Sequence, residues 1–298
     1  MKKFCVIGTP VGHSKSPELF ERFVSERGLV YGRDVVYIRN EIQTEEELQR
    51  FFNELKNGEW KGCNVTMPWK TDVAGLMDEL SETALVTDSV NTVSFRNGKL
   101  YGDSTDGRGM LNAIEPCCGK LTGRHMVILG CGGAARSIIA EAVLRKMRMI
   151  TIVCRGGSAL ESFTHDTKTD EENFTGHNGI SSNMDLTLKM LRKLKKADTF
   201  IEFVDSCNTE RILDSLNKAD ILINSTPVGM VTGNGDELKL PIPKETGLRK
   251  DLVVADCVYN PDETLLIKKA KEAGCMTVKG IRMLEEQARC GVDVLLSS

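Results

Sequence analysis

The sequence predicts an α/β protein made of two α/β units in series. Apolar runs of strand length alternate with segments whose apolar residues recur at helical spacing, which predicts mainly parallel sheets with helices on their faces. The chain has 298 residues, more than a usual single domain. A second series of strands and helices begins near residue 123. The alternation therefore predicts two domains of the same class.

The first unit starts with an apolar strand that ends at Gly8, followed by an amphipathic helix. Ser16 and Pro17 are predicted to be the N-cap and the first position of this helix. The later predicted elements are the strand DVVYIRNEI, the helix TEEELQRFFNELKNG, the strand WKGCNVTM and a hairpin that turns at Asn97-Gly98.

The second unit begins with a buried-type strand and a helix that opens with glycines. Between Gly156 and Asn183 the chain is rich in Ser, Thr, Asp and Asn, which predicts a loop. In order, the predicted strands and helices of this unit are HMVILG, CGGAARSIIAEAVLRK, MITIVCR, MDLTLKMLRKLKKA, TFIEFVD, ERILDSLNKA, DILINST and DLVVADCV.

Charge and composition favour a small-molecule ligand. The formal net charge of -3 gives no basic face for nucleic acid or an anionic membrane. No apolar run approaches the ~20 residues of a membrane span, and the apolar run at the N-terminus is short for a signal peptide, so we expect a cytoplasmic protein. The ten cysteines form no C-x-x-C pair and are expected to be reduced.

The segment GCGGAAR, Gly130 to Arg136, follows a strand and opens a helix. Glycines in that position let the backbone approach a pyrophosphate, and the helix N-terminus offers free N–H groups. A tight strand-to-helix turn without a ligand is the alternative interpretation. After the next strand stands Arg155, where NAD sites usually carry an acid, and an arginine suits the 2′-phosphate of NADP. The pattern therefore favours NADP.

A set of motifs along nearly the whole chain resembles the shikimate dehydrogenase family in order and approximate spacing. The most specific are S-K-S-P, N-V-T-x-P-x-K and S-T-D-G. The full set is VIGTPVGHSKSPELF, GCNVTMPWK, MDELSETA, DSVNTV, GDSTDGRGML, VILGCGGAAR, INSTPVGM, VYNPDETLL and VKGIRMLEEQA.

The resemblance implies an architecture. It comprises a substrate-binding domain over residues 1–110 with a mixed, mainly parallel sheet, completed by a C-terminal helix within 281–298, and a Rossmann-like NADP-binding domain over residues 111–280. The family places its active site in a cleft between the two domains. We expect a monomer or a homodimer.

The resemblance also implies a reaction, the reversible NADP-dependent reduction of 3-dehydroshikimate to shikimate in aromatic amino acid biosynthesis, without a metal. A hydride that reaches a carbonyl carbon leaves an alkoxide that needs a proton. A positioned lysine can donate that proton, and a carboxylate can orient its ammonium group. Lys70 and Asp106 match the catalytic pair of the family. Taken singly, a solvated lysine and a helix-capping aspartate are their ordinary roles.

By the same resemblance, Ser14 and Ser16 hold the substrate carboxylate. The residues that serve the carboxylate or the ring hydroxyls are Asn64, Thr66, Asn91, Tyr259 and Gln287. The cofactor residues are Gly130, Gly132, Gly133 and Ala134 at the pyrophosphate, Arg155 at the 2′-phosphate, and Thr226, Cys257, Gly280 and Met283 toward the nicotinamide. His13 is interpreted as structural and Cys131 as a small apolar filler.

Three alternatives stay open. The first is a quinate/shikimate dehydrogenase using NAD or NADP, because the family's Asn-Arg-Thr after the second strand is Cys154-Arg155-Gly156 here. The second is a methylene-tetrahydrofolate dehydrogenase, which does not explain the paired serines or S-T-D-G. The third is a catalytically silent NADP-binding regulator, against which the presence of both Lys70 and Asp106 argues.

Overall fold

The structure, a computed structural model, describes residues 1–156, 182–194, 198–231 and 235–297. The predicted loop between Gly156 and Asn183 falls on residues 157–181 and so lies outside the described residues. The chain divides into two units. Unit 1 comprises Met1–Gly109 and Glu285–Ser298, and unit 2 comprises Met110–Leu284.

Unit 1 is built on a six-stranded mixed sheet. Its strands are β1 (Lys2–Gly8), β2 (Val35–Glu41), β3 (Gly62–Val65), β4 (Glu79–Leu80), β5 (Thr92–Arg96) and β6 (Lys99–Asp103). Their order in the sheet is β2-β1-β3-β5-β6-β4. The strands β1, β2 and β3 run parallel, β5 is antiparallel to both β3 and β6, and β4 is parallel to β6. The predicted mixed sheet is confirmed.

Two local predictions in unit 1 have different outcomes. The hairpin between β5 and β6 turns at Asn97 (φ +51°) and Gly98 (φ +76°), the two left-handed positions that this turn requires. The predicted cap at Ser16 is wrong, because Lys15 is the N-cap and Ser16 is the first helical residue. The Ser14 hydroxyl instead accepts the Ser16 N–H at 3.2 Å.

Helices cover both faces of this sheet. They are α1 (Ser16–Ser25), α2 (Glu45–Lys56), α3 (Lys70–Ala74) and α4 (Glu82–Thr87), and α5 (Asp106–Cys118) begins in the same unit. Thr44 caps α2 with a complete capping box, since its side chain accepts the Glu47 N–H and the Glu47 carboxylate accepts the Thr44 N–H. Apolar residues of α1 and of α2 pack in separate core clusters.

Unit 2 carries a six-stranded parallel sheet. Its strands are β7 (His125–Leu129), β8 (Met149–Cys154), β9 (Phe200–Asp205), β10 (Ile221–Asn224), β11 (Val253–Asp256) and β12 (Met276–Val278). The order β9-β8-β7-β10-β11-β12 is that of a doubly wound Rossmann sheet, and the strand order reverses between β7 and β10. This confirms the Rossmann-like prediction.

The helices that follow are α6 (Gly133–Leu144), α7 (Ser182–Lys193), α8 (Thr209–Lys218), α9 (Leu265–Glu272) and α10 (Gly280–Leu296). From Glu285 onward, α10 belongs to unit 1. There Leu295 packs so tightly on β3 that a Cβ at Gly62 would lie 2.6 Å from its Cδ2 atom. Within the described part of the chain, no helix combines the length and the apolar character that crossing a membrane requires.

Candidate active site

The centre of the site in unit 1 is an ion pair between Lys70 and Asp106. Their Nζ and Oδ2 atoms are 2.6 Å apart, and the side chains are 28% and 22% exposed. Lys70 is the first residue of α3, and Asp106 is the first residue of α5. The residue before Lys70, Trp69, is buried and donates its indole N–H to the carbonyl of Ile42 at 2.8 Å. A rigid anchor thus precedes the lysine, and the ammonium group stays accessible to solvent and ligands.

Asn91 holds the other oxygen of Asp106. Its Nδ2 donates to Oδ1 of Asp106 at 2.8 Å, and its own Oδ1 accepts the Thr105 N–H at 2.9 Å and the Thr92 hydroxyl at 3.0 Å. Asn91 is only 4% exposed. Both carboxylate oxygens of Asp106 therefore have a fixed partner, Lys70 on one side and Asn91 on the other. The predicted ligand residue Asn91 therefore has a structural role beside the predicted catalytic pair.

Asn64 extends this network along the sheet. Its Nδ2 donates to the Thr92 hydroxyl at 3.0 Å and to the Asn91 carbonyl at 3.3 Å. Its Oδ1 accepts the hydroxyl of Tyr37 at 2.8 Å. A Cβ at Gly291 of α10 would lie 3.2 Å from Asn64 Nδ2, so a glycine lets the helix approach the network.

The two predicted serines and Gln287 lie in the same unit. The Ser14 hydroxyl donates to the Ser16 hydroxyl at 3.0 Å, and the guanidinium of Arg39 donates to the Ser14 carbonyl at 2.6 Å. Thr105 donates to the Gln287 carbonyl at 3.1 Å. Gly109 makes this packing possible, since a Cβ there would lie 2.5 Å from the backbone nitrogen of Gln287.

Thr66 follows β3 and is half-buried next to Gly8. A Cβ at Gly8 would be 2.4 Å from its Cγ2 atom, so the glycine leaves room for the threonine. Tyr259, the remaining predicted substrate residue, lies in unit 2 and is 52% exposed. The structure therefore joins seven predicted residues of unit 1, all except Thr66, by direct bonds or shared partners. The substrate and catalytic roles of these residues, of Thr66 and of Tyr259 stay predictions.

Four residues of this network were not predicted as site residues from the sequence, namely Tyr37, Arg39, Thr92 and Thr105. Tyr37 stands in the predicted strand DVVYIRNEI, where a tyrosine passes for core. The signal available was its hydroxyl, because a buried tyrosine hydroxyl usually finds a hydrogen-bond partner. Thr92 and Thr105 adjoin the predicted residues Asn91 and Asp106 in the sequence.

In unit 2 the glycine loop fits a dinucleotide phosphate. Gly130 has φ +101°, and a Cβ there would lie 3.0 Å from the Ser225 hydroxyl. Gly132 is the N-cap of the 12-residue helix α6. Among the described residues, no atom comes within 4 Å of a Cβ placed at Gly132, so the outer side of the loop is open. An anion placed there would meet the free N–H groups and the positive end of α6.

Other predicted cofactor residues meet at the carboxyl ends of β10 and β11. The Thr226 hydroxyl donates to Asn224 Oδ1 at 2.7 Å, and Asn224 Nδ2 donates to the buried Asp256 at 2.9 Å. Gly280 lies against the same strand end, since a Cβ there would be 2.7 Å from the Cys257 carbonyl oxygen. Because Gly130 directly follows β7, these residues border the point where the strand order reverses, where doubly wound folds bind ligands.

All nine cofactor assignments stay predictions, and the remaining three residues are located as follows. Ala134 lies in the first turn of α6 and Met283 in the first turn of α10. Arg155 follows β8 directly and is exposed, so its guanidinium can be reached by a phosphate.

The surroundings of Cys131 are more polar than its interpretation as a small apolar filler predicts. Burial opposes its ionisation, but a hydrogen bond from the Cys154 thiol and the charges of Arg136 and Arg155 lower the pKa of Cys131 to about 7. The same hydrogen bond raises the pKa of Cys154. Cys131 thus stands as a half-buried thiolate-forming group inside the glycine loop.

We therefore expect iodoacetamide at pH 7 to modify Cys131 faster than Cys207, although Cys207 is the exposed thiol. Thiolates are the reactive form, so the Cys131 rate falls as the pH drops below about 7. NADP⁺ slows modification of Cys131 and leaves Cys207 unaffected. Peptide mapping by mass spectrometry measures both rates, and faster labelling of Cys207 contradicts the assignment.

The chain is similar to known proteins over almost its full length. Residues 6–93 match the family model described as shikimate dehydrogenase substrate binding domain. Over 289 residues the chain is 31% identical to "Shikimate dehydrogenase (NADP(+))" of Methanococcus aeolicus, covering 97% of this chain and 90% of that protein.

Two solved structures show the same fold. One is shikimate 5-dehydrogenase from Listeria monocytogenes in complex with shikimate and NAD, with a TM-score of 0.84, 28% identity, and coverage of 100% of this chain and 92% of that one. The other is the ligand-free 5-ketofructose reductase of Gluconobacter sp. strain CHM43, with a TM-score of 0.77, 29% identity, and coverage of 100% and 93%. By its motifs, its fold and its identity to these relatives over almost its full length, the chain belongs to the shikimate dehydrogenase family.

Proposed function

We propose that the protein is an NADP-dependent shikimate dehydrogenase that interconverts 3-dehydroshikimate and shikimate in aromatic amino acid biosynthesis. The observation that carries the proposal is the ion pair of Lys70 and Asp106, at 2.6 Å, within one hydrogen-bonded network with Asn64 and Asn91. An ion pair that only stabilises the fold does not need to be partly accessible to a ligand, and it does not need neutral hydrogen-bonding groups around it. This argues against the silent regulator.

The reaction makes two demands on the protein. Bound NADPH supplies the hydride for the ring carbonyl carbon, and the oxygen then needs a proton. Lys70 Nζ donates that proton in the proposed mechanism, and in the reverse direction it accepts the proton of the substrate hydroxyl. Asp106 keeps the ammonium group in place, and Asn91 keeps Asp106 in place, so the donor is oriented before the substrate arrives.

Substrate binding is assigned to the neutral groups around this pair. The hydroxyls of Ser14 and Ser16 are 3.0 Å apart and can turn together toward a carboxylate. Each such hydrogen bond contributes ~1 kcal/mol net. Thr66, Tyr259 and Gln287 complete the proposed set. The fit of a polyhydroxylated carboxylate rests on this density of polar groups.

The cofactor assignment rests on the loop of unit 2. The open glycine loop and the N-terminus of α6 suit the pyrophosphate, and Arg155 suits a 2′-phosphate. The relative from Methanococcus aeolicus carries NADP⁺ in its name, whereas the structure from Listeria monocytogenes holds NAD. We assign NADP to this chain because Arg155 takes the place where an acid would favour NAD.

The test is a comparison of initial rates with the purified protein. Shikimate and quinate oxidation and 5-ketofructose reduction are each measured with the NADP and the NAD forms of the cofactor. The proposal expects the highest kcat/KM for shikimate with NADP⁺. A higher value for quinate, or for 5-ketofructose, assigns a different substrate, and cofactor binding without turnover indicates the silent regulator. We further assign the enzyme to the cytoplasm as a monomer or homodimer, and light scattering measures which of the two forms.

A further inference from the structure

Tyr37 places a hydroxyl between two parts of the proposed substrate site. The residue lies on β2 and is 2% exposed, with its ring 4.6 Å from that of Phe20. Its hydroxyl donates to Asn64 Oδ1 at 2.8 Å and lies near the Ser16 side chain. A phenylalanine would fill the apolar surroundings equally well. The hydroxyl therefore serves the two polar neighbours and not the packing.

The orientation of the Asn64 amide follows from its partners. The Asn91 carbonyl oxygen, 3.3 Å away, can only accept, so the nitrogen of the amide must face it. The Thr92 hydroxyl gives its own proton to Asn91 Oδ1 at 3.0 Å, and it accepts from Asn64 at 3.0 Å. Both N–H groups of Asn64 thus have protein acceptors. What Asn64 has left for a ligand is a lone pair on Oδ1.

We propose that Tyr37 is a positioning residue for substrate recognition and acts through Asn64. Its hydroxyl fixes the Asn64 amide so that the substrate meets an oxygen acceptor, which recognises a ring hydroxyl and not the carboxylate. The carboxylate is then left to Ser14 and Ser16. This inference rests on the proposed function, since it takes a polyhydroxylated carboxylate as the substrate.

The chemistry of Tyr37 suits this task. Burial raises the pKa of its hydroxyl well above the ordinary value, so the group stays a neutral donor over the whole pH range of an assay. A neutral donor cannot release Asn64 by ionising. Without it, the Asn64 amide is held only through its two N–H groups, and the position of the Oδ1 acceptor that meets the substrate is less firmly fixed.

The first experiment is Tyr37→Phe in the full-length protein. We expect the KM for shikimate to rise about tenfold, because a polar group next to the ligand loses its partner. The kcat and the KM for NADP⁺ change by less than about twofold, because Lys70, Asp106 and the cofactor loop are untouched. The matched control is Tyr101→Phe, which removes the hydroxyl of another tyrosine of the same unit, whose ring stacks with Arg96 at 3.8 Å. Tyr101→Phe leaves the KM for shikimate unchanged.

The second experiment separates the role of Tyr37 from general packing by double-mutant cycles on the KM for shikimate. If Tyr37 acts through Asn64, Tyr37→Phe has less than about a twofold effect in an Asn64→Ala background. In a Ser16→Ala background it keeps most of its tenfold effect. A full effect in the Asn64→Ala background overturns the inference, as does an unchanged KM in the single variant. Thermal unfolding of each variant confirms that it is folded, and Asn64→Ala alone must raise the KM for shikimate at least as much as Tyr37→Phe.

Failure of the proposed function looks different from failure of this inference. If the unmodified protein does not turn over shikimate, the proposed function fails, and the inference fails with it. If the unmodified protein turns over shikimate and only the Tyr37→Phe result is absent, the function stands and the role of Tyr37 is rejected.

Discussion

Lys70→Ala is expected to lower kcat for shikimate oxidation by about 10²–10⁴-fold, the range that a general acid or base contributes. The Nζ atom of Lys70, 2.6 Å from Asp106, is the proposed proton carrier, and alanine cannot replace it. Substrate binding should change far less, because the serines and Asn64 are retained. Initial rates at saturating shikimate and NADP⁺ measure the effect, and a near-normal kcat would remove Lys70 from the proton-transfer step.

The matched control is Lys99→Ala. Lys99 forms an ion pair with Glu79 at the same 2.6 Å distance and in the same unit, but the two side chains are 59% and 49% exposed. Solvent screens exposed pairs of this kind, so they contribute little to stability. Lys99→Ala should therefore leave kcat unchanged. Thermal unfolding of both variants then separates a loss of catalysis from a loss of fold.

The effect of Asp106→Asn on activity follows from the same geometry. The amide keeps the size of the side chain but removes the charge that holds the ammonium group of Lys70. It also places an N–H₂ group toward either Lys70 or Asn91 Nδ2, both of which are donors. One of the two contacts must therefore break. If the orientation of Lys70, and not only its presence, sets the rate, Asp106→Asn lowers kcat for shikimate oxidation although Lys70 is retained.

The fold was largely predictable because its strands are strongly apolar and its turns carry specific residues. The strands β7, β8 and β10 and the last five residues of β1 are almost wholly buried, and the Asn97-Gly98 turn has the required residues. By contrast, β12 was not predicted. It has only three residues, and its first, Met276, is 55% exposed at the edge of the sheet. A strand of that length carries too little pattern to be recognised alone.

The site was predictable only where residues act in motifs. Lys70 and Asp106 were found through N-V-T-x-P-x-K and S-T-D-G, and the structure brings them into contact. Tyr37 was missed because its partner Asn64 is on β3, and β1 lies between β2 and β3 in the sheet. Strand periodicity shows which face of a sheet a side chain occupies. It does not show which residue two strands away that side chain reaches.

Arg155→Ala is expected to weaken NADP⁺ binding by about 10- to 100-fold and to change NAD⁺ binding by less than about threefold. The loss corresponds to ~1.5–3 kcal/mol for hydrogen bonds to a charged group, and only NADP has the 2′-phosphate that receives them. Arg155 is exposed after β8, where a 2′-phosphate can reach it. Titration with each cofactor, followed by fluorescence, measures the two affinities without need of turnover.

Two further variants test whether NADP binding depends on the position of Arg155 or only on its positive charge. Arg148 directly precedes β8 and is also exposed, so Arg148→Ala removes the same charge from the opposite end of the same strand. If long-range attraction by positive charge accounted for NADP binding, both variants would weaken it alike. Arg155→Asp places an acid where NAD sites hold the ribose 2′-OH, and it should invert the preference toward NAD⁺. Equal losses for NADP⁺ and NAD⁺ in Arg155→Ala would remove Arg155 from the 2′-phosphate, and the preference would then have to arise from other residues of the loop.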